Sequence, residues 1–284
     1  MSEFPWHTKR VAVVGLGLMG GSLAMALKPH VDTLYAVDID PRTRALARER
    51  GIAHVVSARP EEVLPHADVI ILATPVQSIL DLVHALPHWV RHPVQVLDLG
   101  STKRAVCQAL SQLPPRFDPI GGHPIAGKEM GGLTHADPAL FHGAPFIFTP
   151  LPRTTARARR MAESLAQLLG AQPVWLEDPE LHDRYLAYTS HLAYLLSLAM
   201  ALATPEEAAA FVGPGFRSIL RLAGSSPRMM RDILATNHEA ILEALDHYLA
   251  ELEHMRALLA QPNPDAWEAL FREGQARWRA FLRP

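Results

Sequence analysis

The chain has 284 residues, 49% hydrophobic and 20% charged, with 27 basic against 29 acidic side chains and a net charge of −2. That length and balance suggest two folded domains and exclude wholesale disorder. Without a polybasic stripe or acidic tail, no nucleic-acid or membrane partner is expected, and a single cysteine, Cys107, excludes an internal disulfide framework and fits a reducing compartment.

Lys9-Arg10 followed by the apolar run 11–27 imitates a signal peptide, but Gly15, Gly17, Gly20 and Gly21 interrupt it and no cleavage site follows. The run reads as strand, turn and helix. No stretch reaches about 18 unbroken apolar residues, so no transmembrane helix is expected and a cytoplasmic location is. Strands are predicted over 11–14, 33–37, 54–56, 69–73, 94–97, 117–120, 145–149 and 173–176, with amphipathic helical stretches over 42–50, 77–86 and 154–169 between them. This alternation predicts an α/β, Rossmann-type, doubly wound and mostly parallel sheet over 1–177, its proline-rich last strands antiparallel at the edge.

From Asp178 the pattern turns helical, predicting an all-α C-terminal domain over 178–284. Asp178-Pro179 reads as N-cap and first helical residue, Thr204-Pro205-Glu206-Glu207 as a capping box, and Ser226-Pro227 and Asn263-Pro264 as further helix starts. Ile241, Leu245, Tyr248, Leu252, Met255 and Leu259 form a heptad seam that needs a partner helix, from its own domain or a second copy. No further regulatory domain is expected after the last helix.

The first strand runs into Gly15-Leu16-Gly17-Leu18-Met19-Gly20, and the helix that follows supplies the context that makes such a loop a dinucleotide fingerprint. Gly15 permits the tight turn, Gly17 close approach of a pyrophosphate and Gly20 close helix packing, while the first-turn N–H groups of Leu18 and Met19 face the phosphates. Asp38 ends the second strand, about 20 residues on, where a carboxylate bonds the ribose hydroxyls and repels a 2′-phosphate. NAD is therefore expected over NADP, although Arg42 and Arg44 lie nearby. Thr74-Pro75 and Gly100-Ser101-Thr102-Lys103 follow later strands and should border the nicotinamide. Asp68 and Asp98 are read as structural.

His123 lies in Gly121-Gly122-His123-Pro124-Ile125-Ala126-Gly127-Lys128-Glu129, at a strand end. Pro124 favours an extended backbone before it, and a neutral imidazole there suits removal of a hydroxyl proton as hydride leaves the adjacent carbon. A structural turn histidine is the plain alternative. Arg217 and Arg221 sit four apart on one short helix and could fork a carboxylate. No ligand cluster suggests a metal.

In order and spacing, GLGLMGGS, ATPV, DLGSTK, GGHPIAGKE, SHLAY and GFRSILRLAGSSP resemble the prephenate/arogenate dehydrogenase family of tyrosine biosynthesis, from about residue 10 to at least 235. The resemblance implies His123 as catalytic histidine, Ser101 as the group that orients it and touches the substrate hydroxyl, and Arg221 as a carboxylate anchor. It implies Glu129 in the active site and His191 as the first histidine of an SHLPH element, with Tyr194 where the second often stands and Met230 where a tryptophan can follow. It implies oxidative decarboxylation of prephenate by NAD and a homodimer through the helical domain. Arogenate is the alternative substrate. A β-hydroxyacid dehydrogenase would use a helical-domain lysine, and the lysines here are Lys9, Lys28, Lys103 and Lys128. A non-catalytic NAD-binding module is the remaining reading.

Overall fold

Short runs of β-branched and apolar residues build the sheet, and the intervening amphipathic segments cover it. The computed structural model describes residues 4–128, 130–261 and 263–281. In chain order the elements are β1 (Arg10–Val14), α1 (Leu18–Leu27), β2 (Thr33–Val37), α2 (Pro41–Glu49), β3 (Val55–Ser57), α3 (Pro60–Val63) and β4 (Val69–Leu72). There follow α4 (Val76–Trp89), β5 (Val94–Asp98), α5 (Arg104–Ser111), β6 (Phe117–Pro124), β7 (Pro145–Pro150), α6 (Ala156–Leu168) and β8 (Gln172–Trp175). The helices that follow are α7 (Pro179–Leu186), α8 (Leu192–Ala203), α9 (Pro214–Leu220), α10 (Pro227–Thr236), α11 (His238–Ala260) and α12 (Pro264–Phe281).

The sheet order is β3-β2-β1-β4-β5-β6-β7-β8. Strands β1 to β6 run parallel, β7 runs antiparallel to β6, and β8 runs parallel to β7. All residues of β4 and β5 are buried, as a central strand covered on both faces requires. The order reverses between β1 and β4, and a ligand crevice opens at such a point beyond the strands' carboxyl ends.

Strand β6 runs four residues past its predicted end at 120. Gly121, Gly122, His123 and Pro124 pair with Thr149, Phe148, Ile147 and Phe146 of β7. Gly-Gly-His-Pro has the composition of a turn, and the antiparallel neighbour overrides that local preference. Beyond Pro124, Ile125 N donates to Pro145 O at 2.8 Å.

Asp178 caps α7, accepting from Glu180 N and Leu181 N. A π-helical turn, Ala187–His191, joins α7 to α8. The resulting 25-residue helix, Pro179–Ala203, is long and apolar enough by length and composition to cross a membrane, a feature hidden from a search for unbroken apolar runs. The capping box at 204–207 does not form: Thr204 instead ends α8, its hydroxyl donating to Met200 O at 2.7 Å. Ser226 and Asn263 do cap their helices.

Residues 1–238 form one compact unit and 239–284 a second. The predicted boundary at 177/178 marks a change of element type inside the first unit. In the second unit Ile241 and Ala244 are buried, whereas Leu252, Leu259, Phe271, Trp278 and Phe281 are exposed.

Candidate active site

The β1–α1 loop is shaped for a dinucleotide. Gly15 has φ +95°, and a Cβ there would lie 2.6 Å from Ala73 O; one on Gly20 would lie 1.9 Å from Gly15 O. Gly17 caps α1 with nothing within 4 Å on its side-chain side. The N–H groups of Leu18, Met19 and Gly20 fall in the first turn, beyond reach of intrahelical carbonyls. Asp38 accepts from Leu16 N and Asp40 N, each at 2.8 Å, so its carboxylate is fixed beside the loop. Arg44 donates to the Asp38 carbonyl at 2.8 Å. Thr74 follows β4 against Gly15, its buried Oγ1 without a hydrogen-bond partner among the described residues, and Pro75 caps α4. An unpaired buried hydroxyl beside an open glycine turn fits a bound polar ligand. These residues fit NAD.

At the next strand ends the polar groups interlock. Asp98 is fully buried, accepting from Gly122 N at 3.1 Å, from Gly100 N at 2.8 Å and from the buried Lys103 ammonium. The turn carrying half-buried Ser101 is thereby tied to β6. Asp98 is thus structural: it ties β6 to the turn that follows β5.

On β6, His123 Nδ1 lies 3.0 Å from His182 Nε2, and His182 Nδ1 lies 2.8 Å from Asp183 Oδ1. Asp183 also accepts from Lys103 N at 2.6 Å and Arg104 N at 2.9 Å, at the start of α5. Asn237 Nδ2 donates to Asp183 O at 2.7 Å and lies 3.1 Å from His191 Nδ1. A carbonyl cannot donate, so this contact fixes which end of the amide is nitrogen. His191 Nδ1 is then the acceptor and its proton sits on Nε2.

The π turn explains how these groups meet. At about 100° per residue, Asp183 and His191, eight apart, would diverge by about 80° on an α-helix. A π turn absorbs one residue and brings them within about 20° of one face. Burial holds all three histidines toward the neutral form. His191 is pushed down to about 4, mainly by burial and further by His182, against the pull of Asp183. His182 is lowered by burial despite its bond to Asp183. His123 is held well below the usual imidazole range by burial, then by His182, Lys103 and His191.

Arg217 and Arg221 line one surface cleft of about 600 Å3 with Ser218 and Gly224. Both are exposed, and Arg217 donates to Val212 O at 3.4 Å. Arg221 lies one residue past α9, in a turn held on α8 by Ala223 N donating to Ser197 Oγ at 2.8 Å. Tyr194 is half-buried on α8 and Met230 is buried on α10. Glu129 lies outside the described residues. Among the described residues no group of three or more His, Cys, Asp or Glu is placed to hold a metal ion.

Sequence reasoning missed His182, Asp183 and Asn237. One signal was available: His182 and Asp183 stand four and three residues before Leu186, on the apolar stripe of α7, where a polar pair has to be paid for by partners.

A family model described as "Prephenate dehydrogenase, nucleotide-binding domain" matches residues 23–174, and one described as "Prephenate dehydrogenase, dimerization domain" matches 178–273. Prephenate dehydrogenase of Bacillus subtilis is 32% identical over 275 residues, covering 92% of this chain and 72% of that protein. The structure of Aquifex aeolicus prephenate dehydrogenase with hydroxyphenyl propionate and NAD+ superposes with TM-score 0.88 at 26% identity, covering 96% of this chain and 98% of that one. Synechocystis arogenate dehydrogenase superposes with TM-score 0.80 at 28% identity, covering 96% and 100% of the two chains. A glycine loop, a histidine-bearing strand and helices that match over this length leave one assignment: the chain belongs to the prephenate dehydrogenase family.

Proposed function

We propose that this protein is an NAD-dependent prephenate dehydrogenase, converting prephenate to 4-hydroxyphenylpyruvate in tyrosine biosynthesis. The observation that carries the reading is His123, held neutral on β6 at the same carboxyl end of the parallel strands as the dinucleotide loop. Gly15, Gly17, Leu18, Met19, Gly20, Asp38, Thr74, Pro75 and Ser101 would hold NAD, which supplies a hydride acceptor when bound. His123 takes the hydroxyl proton from the carbinol, and Ser101 orients that histidine and touches the same hydroxyl. Loss of the ring carboxylate as CO2 leaves its bonding electron pair in the ring, which becomes aromatic. Arg221 anchors a substrate carboxylate with Arg217 beside it, and Glu129, His191 and Tyr194 border the substrate.

The proposed division is a nucleotide-binding domain over 1–177 and a substrate and dimerisation domain over 178–284. The protein acts as a homodimer through its helical domain, in the cytoplasm, on a small-molecule substrate and without nucleic-acid or membrane partners. Arogenate is the second reading, because the Synechocystis arogenate dehydrogenase shares the fold over nearly the whole chain. The test is a steady-state assay with prephenate and arogenate, each with NAD and NADP. The highest kcat/KM is expected for prephenate with NAD; a preference for arogenate establishes the second reading.

A further inference from the structure

We infer that His182 and Asp183 are positioning residues that hold His123 in the tautomer with a bare Nε2. The inference rests on the reading of His123 as the proton acceptor, and its argument is a chain of donors and acceptors.

Asp183 is a carboxylate whose Oδ1 lies 2.8 Å from His182 Nδ1, so that nitrogen must carry the hydrogen. Both oxygens of Asp183 are also held by main-chain N–H groups, from Lys103 to Oδ1 and from Arg104 to Oδ2, which keeps the carboxylate from turning away. In a neutral His182 the opposite nitrogen, Nε2, is then an acceptor. It lies 3.0 Å from His123 Nδ1, so His123 must donate from Nδ1 and its own Nε2 is left without a hydrogen. That is the nitrogen a hydroxyl proton needs. A free imidazole populates both tautomers; here two side chains and two backbone amides select one.

The same chain bears on the charged state. When the substrate O–H bond breaks and an N–H bond forms at His123 Nε2, the resulting imidazolium donates from Nδ1 to His182, which Asp183 polarises. Lys103 and His191 also face this group, and as a cation Lys103 opposes its charge. The hydrogen bond to His182 offsets part of that cost without a second proton transfer. His182 is fully buried and Asp183 nearly so, which removes competing water.

The experiment combines spectroscopy and kinetics on the full chain. In 15N-histidine spectra, assigned with His123→Asn, His123 should show a protonated Nδ1 and an unprotonated Nε2 at pH 7.5. In His182→Leu the signal should shift toward the other tautomer. With prephenate and NAD, kcat of His182→Leu should fall roughly 10²–10³-fold while KM stays within about threefold, by analogy with losses when a catalytic histidine loses its tautomer control. His182→Gln, whose carbonyl can accept from Nδ1, should stay within about tenfold of wild type. A protonated Nε2 on wild-type His123, or a His182→Gln protein as slow as a folded His182→Leu, overturns the inference. If His182→Leu does not fold, the wild-type spectrum decides. If the protein has no prephenate dehydrogenase activity, the functional reading fails while the tautomer measurement still tests this one.

Discussion

The histidine network and the helical tail are built on opposite principles. Around His123, polar groups are buried and matched: the carboxylates of Asp98 and Asp183 each accept from three donors among the described residues of the first unit. In the tail the mismatch is apolar, with Leu259 69% and Phe281 82% exposed. Buried polar atoms are costly unless paired, so the first arrangement is complete in one chain and specifies a single geometry. An exposed apolar stripe costs little structure and carries little specificity until a second surface meets it. Chemistry and assembly should therefore break separately.

The largest expected effect lies in the network. His123→Asn should lower kcat roughly 10²–10⁴-fold, the usual loss for a positioned proton acceptor, with little change in KM. Steady-state kinetics checks this, and unchanged kcat removes His123 from the chemistry.

In the tail, Leu252→Glu combined with Leu259→Glu should weaken the proposed homodimer roughly 10²–10⁴-fold, since each buried leucine contributes about 1.5–3 kcal/mol. Sedimentation should find monomers at micromolar concentration with unchanged helix content. An unchanged dimer would place the interface elsewhere.

Arg221→Ala should act on binding. The side chain is exposed, so its pair with a carboxylate keeps part of its hydration, and KM should rise about tenfold to a hundredfold, below the cost of a fully desolvated pair. A loss confined to kcat would reverse the roles of Arg221 and His123.

How much of this was legible differs by region. The central strands were readable because buried parallel strands write continuous apolar runs, as in Val69–Leu72. The glycine loop was readable because backbone geometry dictates residue type at Gly15 and Gly20. The extension of β6 was not, since its pairing partner lies more than 20 residues on and its own composition favours a turn. Asp183 and His182 were also hidden: 59 residues separate His182 from His123, and the π turn breaks the period by which helix faces are read. Thr204 looked like a cap because capping chemistry is local, yet its hydroxyl serves the helix before it.

The network should also leave a mark on stability. His191 is neutral in the folded chain, its pKa depressed to about 4 from an unfolded value near 6.5. A depressed imidazole contributes fully above its unfolded pKa, and that contribution is lost as pH falls through 6.5 toward 4. Between pH 7 and 5 the loss from His191 alone should be about 2 kcal/mol. His191→Gln keeps an acceptor for Asn237 and cannot titrate, so urea unfolding at the two pH values should show that much less acid sensitivity. Equal sensitivity in variant and wild type would mean His191 is charged in the folded state.

The smallest effect concerns the cofactor, where both principles meet at one side chain. Asp38 is half-buried, and its oxygens already accept from Leu16 N and Asp40 N, so its negative charge is fixed where a ribose would lie. Asp38→Asn removes the repulsion toward a 2′-phosphate but presents an amide hydrogen to one of those two N–H donors, loosening the loop for either cofactor. Arg44 Nη1 is committed to the Asp38 carbonyl, which limits where its remaining N–H groups can point. The expected result is a several-fold loss of kcat/KM with NAD and little gain with NADP, so that the preference narrows by about fivefold, or about 1 kcal/mol. Measuring both cofactors with saturating prephenate separates the outcomes. A wild type that already uses NADP as well as NAD would remove Asp38 as the discriminating group, and a variant that switches fully to NADP would show that Arg42 or Arg44 can reach the phosphate after all.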